Sequence, residues 1–85
     1  MPLPRRERDA SYEIIQHIAV LGTSSKGWTK ELNIVSWNGR DAKYDIREWA
    51  PDKSNMGKGV TLNEEEARAI CAALTMDLAE ADKEL

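Results

Sequence analysis

Apolar positions along this chain change period once, from the two of a strand to the three-and-four of a helix. "YEIIQHIAVLG", from Tyr12 to Gly22, is rich in Ile and Val and stops at glycine, so it reads as a first strand. "TSSKG" then reads as a loop, and "WTKELNIVSW", Trp28 to Trp37, as a second strand. In that strand Leu32 and Ile34 point one way, and Asn33, Val35 and Trp37 the other. Asn38-Gly39 is the strongest short signal for a hairpin turn. "AKYDIREW", Ala42 to Trp49, is a third strand that puts Tyr44 and Ile46 on one face and Lys43, Asp45, Arg47 and Trp49 on the other. Pro51 ends it. "PDKSNMGKG" is a loop in which Gly57 and Gly59 bracket Lys58, and "VTL" forms a short fourth strand.

The period then changes. Asn63 is a candidate N-cap, Glu66 completes a capping box, and Glu64, Glu65 and Glu66 occupy the first turn, where the helix dipole favours anions. Ala67, Cys71, Leu74, Leu78, Ala81 and Leu85 follow at heptad spacing, with Ile70 widening the stripe. No Gly or Pro interrupts the run, so the helix extends to about residue 83, roughly 30 Å at 1.5 Å per residue. The expected fold is α+β: a four-stranded antiparallel sheet followed by one long C-terminal helix.

With 85 residues there is one domain, 12–85, preceded by a flexible arm over 1–11. A chain this short buries only about 60% of its unfolded surface, so its core is small. One Cys and one His exclude a disulfide framework and a cysteine zinc site, and neither metal nor cofactor is expected. Small domains without such staples gain stability by oligomerising. The seam of Ala67, Cys71, Leu74, Leu78 and Ala81 is the candidate dimer interface. "MPLPRRERDA" has no apolar run and reads as neither a signal peptide nor a membrane span, so a cytoplasmic protein is expected.

Net charge is −3, but its distribution is uneven. Residues 26–60 carry seven basic and five acidic side chains, and residues 61–85 two basic and seven acidic. All three tryptophans lie in the net-positive segment, and there is no Phe. A polyanion responds to local field rather than to the whole-chain sum. The helix is expected to cover Leu32, Ile34, Tyr44 and Ile46. The opposite face mixes Trp37 and Trp49 with Lys43 and Arg47, beside Asn33 and Val35. Flat aromatics among cations suit unstacked bases on a phosphate backbone.

"KGWTKELNIVSWN" and "YDIREWAPDKSNMGKGVTLNEEE", in this order, resemble the positive-cofactor-four family of single-stranded DNA-binding proteins, most closely its bacterial YdbC-like branch, over about residues 12–80. The resemblance implies a homodimer with strongly curved sheets that form grooves for single-stranded DNA, and helices packed between the subunits. It assigns a stacking role to Trp37, and phosphate contacts to Lys30, Arg40, Arg47 and Lys58. Lys26, Trp28, Asn38, Lys43 and Trp49 complete the candidate nucleic-acid-binding set. Val35 stands where an Arg is usual in the family, and Trp49 is followed by Ala50 where eukaryotic members have a second aromatic. The serine-rich arm of those members is absent, so coactivation itself is not implied.

Other readings compete with this one. Arg47 has a competing partner in Asp45 or Glu48. His17 in an apolar strand reads as structural, Cys71 as a buried inert thiol, and no catalytic residues emerge. A protein-interaction module using the Trp-rich face is the rival from another class, RNA the nearer rival, and contact with transcription machinery a further option.

Overall fold

The structure, a computed structural model, describes residues 11–83. Four strands form one antiparallel sheet in chain order: β1 (Tyr12–Thr23), β2 (Thr29–Trp37), β3 (Lys43–Trp49) and β4 (Met56–Leu62). One helix follows, α1 (Glu64–Lys83). This is the α+β order expected, with β4 longer than Val60–Leu62 because it extends back through Gly57 and Gly59. The expected arm lies outside the described residues except for Ser11, whose carbonyl accepts the Asn38 amide at 2.9 Å.

Local chemistry accounts for the element ends. Asn38 (φ 53°) and Gly39 (φ 73°) are both left-handed, and the Arg40 amide donates to the Trp37 carbonyl at 2.9 Å, as a primed turn requires. At the start of α1 the Glu66 amide donates to Asn63 Oδ1 (2.7 Å), and the Asn63 amide donates to Glu66 Oε1 (2.9 Å). This capping box satisfies the exposed first-turn donors.

Residues share faces as the alternation predicts: Leu32 faces Ile46 and Ile34 faces Tyr44, while Asn33 faces Asp45 and Val35 faces Lys43. Which face is inside is the reverse of the expectation. The buried side chains are Glu31, Asn33, Val35, Asp45 and Trp49, all on the face expected to be open, together with Ala50 beyond β3. Leu32, Ile34, Tyr44 and Ile46 are only half-buried.

Curvature explains the reversal. β1 carries three register shifts against β2, and the extra residues are Ile15, Ile18 and Leu21. Each bulge bends the strand and increases its twist. The result is visible in the aromatics. Trp37 pairs with Tyr12 at one end of β2, and Trp49 pairs with Thr29 at the other. Yet the Tyr12 ring lies 5.6 Å from that of Trp37 and 5.3 Å from that of Trp49. The sheet curls until its ends meet over the concave side, and it buries that face without a second layer.

α1 does not cover the other face as expected. None of its residues is buried, and Ile70, Leu74 and Leu78 are 39%, 53% and 58% exposed. Its first turns and the convex face instead border an open apolar cleft of about 480 Å³ that includes Leu32, Ile46, Leu62, Ile70 and Leu74. Cys71, expected to be buried, is exposed because nothing among the described residues lies over the seam.

Candidate nucleic-acid interface

The end of β2, the Asn-Gly turn and the start of β3 bring Trp37, Arg40, Asp41, Lys43 and Arg47 together with Thr61 of β4 around a cleft of about 280 Å³. Four of the sequence-predicted residues therefore share one site. Thr61 and Asp41 were not anticipated. Thr61 enters because it pairs with Asp45, a register that depended on where β4 begins.

Arg47 organises the cleft. Its Nε donates to Asp45 Oδ1 (2.7 Å), its Nη2 to Asp45 Oδ2 (2.9 Å) and its Nη1 to the Gly57 carbonyl (3.3 Å). The guanidinium carbon also lies 4.7 Å from the Trp37 ring centroid. Asp45 is fully buried, so Arg47 serves as its counter-ion, and the bidentate geometry holds the guanidinium plane against the indole. The competing partner foreseen for Arg47 is thus realised. Its guanidinium is paired with Asp45 and held against the Trp37 ring. Arg40 and Lys43 are exposed and form no ion pair among the described residues.

The other candidates fall elsewhere. Trp49 has no accessible surface, so the expectation that it meets a ligand is corrected: the curl closes over it. Lys30 pairs with Glu48 and lies with Leu21 and Glu48 in a separate shallow cleft, on the face opposite Trp37. Its even position, shared with Leu32, made this readable. Lys58 is exposed in a bulge of β4, opposite Glu48 and outside the Trp37 cleft. A Cβ on Gly59 would lie 2.2 Å from Arg47 Cβ, so the bare backbone there serves the approach of β4 to β3. Lys26 is exposed and Trp28 half-buried in a turn built on Ser24 Oγ, which accepts both their amides at 3.3 and 3.2 Å. Asn38 is exposed.

A polar network on the same concave face was not foreseen. Glu31, 3% exposed, accepts from Thr29 Oγ1 (2.5 Å), Asn33 Nδ2 (3.3 Å) and the Lys53 ammonium. His17 Nδ1 bonds Asn33 Oδ1 at 2.7 Å, so His17 is structural as expected, though through a polar partner. Burial alone would raise the Glu31 carboxyl. The hydrogen bonds from Lys53, Thr29 and Asn33, with the Lys53 charge, outweigh it and hold the group below the usual carboxylate range.

Residues 24–73 match the model of the family described as Transcriptional Coactivator p15 (PC4). An uncharacterized protein of Treponema pallidum (strain Nichols) is 55% identical over 62 residues, 73% of this chain and 73% of its own length. The matched span runs from the Ser24 turn through the Trp37 cleft and the β4 glycines to the third turn of the helix. With that span, the curved sheet and the single trailing helix in hand, the chain belongs to the transcriptional coactivator p15 (PC4) family.

Proposed function

We propose that this protein binds single-stranded DNA, with little dependence on sequence, as a homodimer, and serves transcription or DNA maintenance. The observation that carries the reading is the Trp37 cleft. A half-buried indole is braced by a charge-neutralised Arg47, and Arg40 and Lys43, two cations that form no ion pair among the described residues, lie beside it. An aromatic face contributes roughly 1–3 kcal/mol per stacked base, and cations supply a sequence-independent attraction to phosphate. The family is one of nucleic-acid binding rather than catalysis, and that supports the same conclusion. A homodimer is supported by the exposed seam of α1 beside the open apolar cleft. Apolar surface of that extent in water marks an interface.

Tryptophan fluorescence titrated with a single-stranded oligonucleotide, and in parallel with its duplex and an RNA of the same sequence, tests the reading. Tighter binding of the single-stranded DNA than of the duplex is expected, since a duplex offers no unstacked base. For single strands, log affinity falls with log salt by about 0.7 per neutralised phosphate. Arg40 and Lys43 then predict a slope of about −1.4 per protomer, and a contact from Lys58 makes it about −2.1. A slope near zero, or equal affinity for the duplex, would refute the proposal.

A further inference from the structure

The concave face holds a second cleft, of about 560 Å³, that the Trp37 site leaves unused. Ile14, Val20 and Pro51 wall it, and Glu31 lies at its floor with 4% of its side chain accessible. His17 and Lys53 stand at the rim, with side chains 52% and 46% accessible. Apolar walls around a few convergent polar groups are the make-up of a small-ligand site, and the volume suits one nucleobase.

Lys53 covers the floor at a conformational cost. Its backbone is left-handed (φ 63°), which is uncommon for a residue other than glycine, and it carries its ammonium onto Glu31. The ammonium is half in water on a flexible stem, so a phosphate can compete for it. Once Lys53 turns to a phosphate, a buried carboxylate loses its cation, and that is unfavourable unless another donor arrives. Tyr12 joins the two clefts: its ring packs on Trp37, and its hydroxyl donates to the Lys53 carbonyl at 3.4 Å. A strand stacked on Trp37 would have to cross Tyr12 to reach Lys53.

From this geometry we infer that the Glu31 cleft is a base subsite that selects an amino-bearing base, cytosine over thymine. Cytosine presents its N4 amino group as a donor to the carboxylate, where thymine presents an oxygen lone pair. The inference rests on the single-stranded DNA reading and adds one selective position to an otherwise sequence-tolerant surface.

Fluorescence anisotropy at fixed salt tests it with three labelled twelve-nucleotide strands: oligo-dC, oligo-dT and oligo-N4,N4-dimethyl-dC, which stacks but has no N4 donor. The native protein should bind oligo-dC about tenfold tighter than the dimethylated strand, the worth of one good carboxylate–amino contact. Glu31→Met removes every acceptor oxygen from the side chain and should reduce that ratio to about one. Equal native affinities for oligo-dC and its dimethylated form overturn the subsite and leave single-stranded DNA binding standing. Failure to bind any strand overturns both readings. A folded Glu31→Met protein that still discriminates also overturns the subsite. Should that variant not fold, the native comparison alone decides.

Discussion

The two glycines flanking Lys58 look alike in sequence, and the structure gives them opposite sensitivities. A Cβ built on Gly59 lies 2.2 Å from Arg47 Cβ and 2.5 Å from the Ile46 carbonyl oxygen, where ordinary contact begins at 3.4 Å. Gly59→Ala therefore requires β3 and β4 to part by about 1.2 Å, and the obstructing atoms belong to the strand itself rather than to a movable side-chain tip. Overpacking of this kind costs about 1–3 kcal/mol. Loosened ladder bonds opposite Arg47 add roughly 1 kcal/mol. About 3 kcal/mol in total is a large share of the roughly 4–13 kcal/mol expected for a chain of this length. At Gly57 the nearest atom, Glu48 Cβ, is 3.5 Å away, and the backbone is not left-handed. Gly57→Ala should stabilise by roughly 0.4–1 kcal/mol through the unfolded chain. Urea unfolding at one fixed protein concentration, followed by tryptophan fluorescence, reads both. With a slope of about 1 kcal/mol per molar, Gly59→Ala should lower the midpoint by roughly 3 M. A Gly59→Ala loss under about 1 kcal/mol, or an equal loss for Gly57→Ala, would show that the close approach of β4 is not what requires glycine.

Three further outcomes are expected. Trp37→Ala should weaken binding to oligo-dT by roughly 1–3 kcal/mol with an unchanged circular dichroism spectrum; a variant that unfolds instead would make Trp37 a core residue. Leu74→Lys places a charge in the α1 seam and should shift light scattering from dimer to monomer, whereas a native protein that scatters as a folded 9.6 kDa monomer refutes the dimer. Glu31, held below its ordinary value of 4.5, contributes stability that is fully present above about that pH and is lost as pH falls through its lower folded value. Lys53→Met should cost about 1–2 kcal/mol at pH 7, a figure reduced for the half-exposed ammonium. The gap to the native protein should close as the pH drops below 4.5, and a gap of the same size at pH 3 and pH 7 would rule out this pair as its source.

Local rules sufficed for much of the architecture. Asn38-Gly39 specifies a primed turn because two successive residues there must be left-handed, and that needs no tertiary information. Asn63 and Glu66 cap α1 through bonds spanning three residues, and alternation placed Leu32 with Ile46 and Asn33 with Asp45. The motifs around Trp37 and Gly57-Lys58-Gly59 were enough to point to the family.

Inside and outside could not be read this way. Alternation sorts residues into two faces but does not say which one water reaches, and here three bulges in β1 decide it by curling the sheet over Asn33, Val35 and Trp49. The same curl separates two tryptophans of like pattern: Trp49 is sealed in, while Trp37 stays at the mouth with Arg47 against its ring. The Glu31–Lys53 pair joins residues 22 positions apart, and the space around Gly57 and around Gly59 differs through the β3–β4 register. Turns, caps and face alternation depend on neighbours within a few residues, so the chain alone determines them. Curvature, register and ion pairing depend on where distant strands meet, and only the folded sheet supplies that.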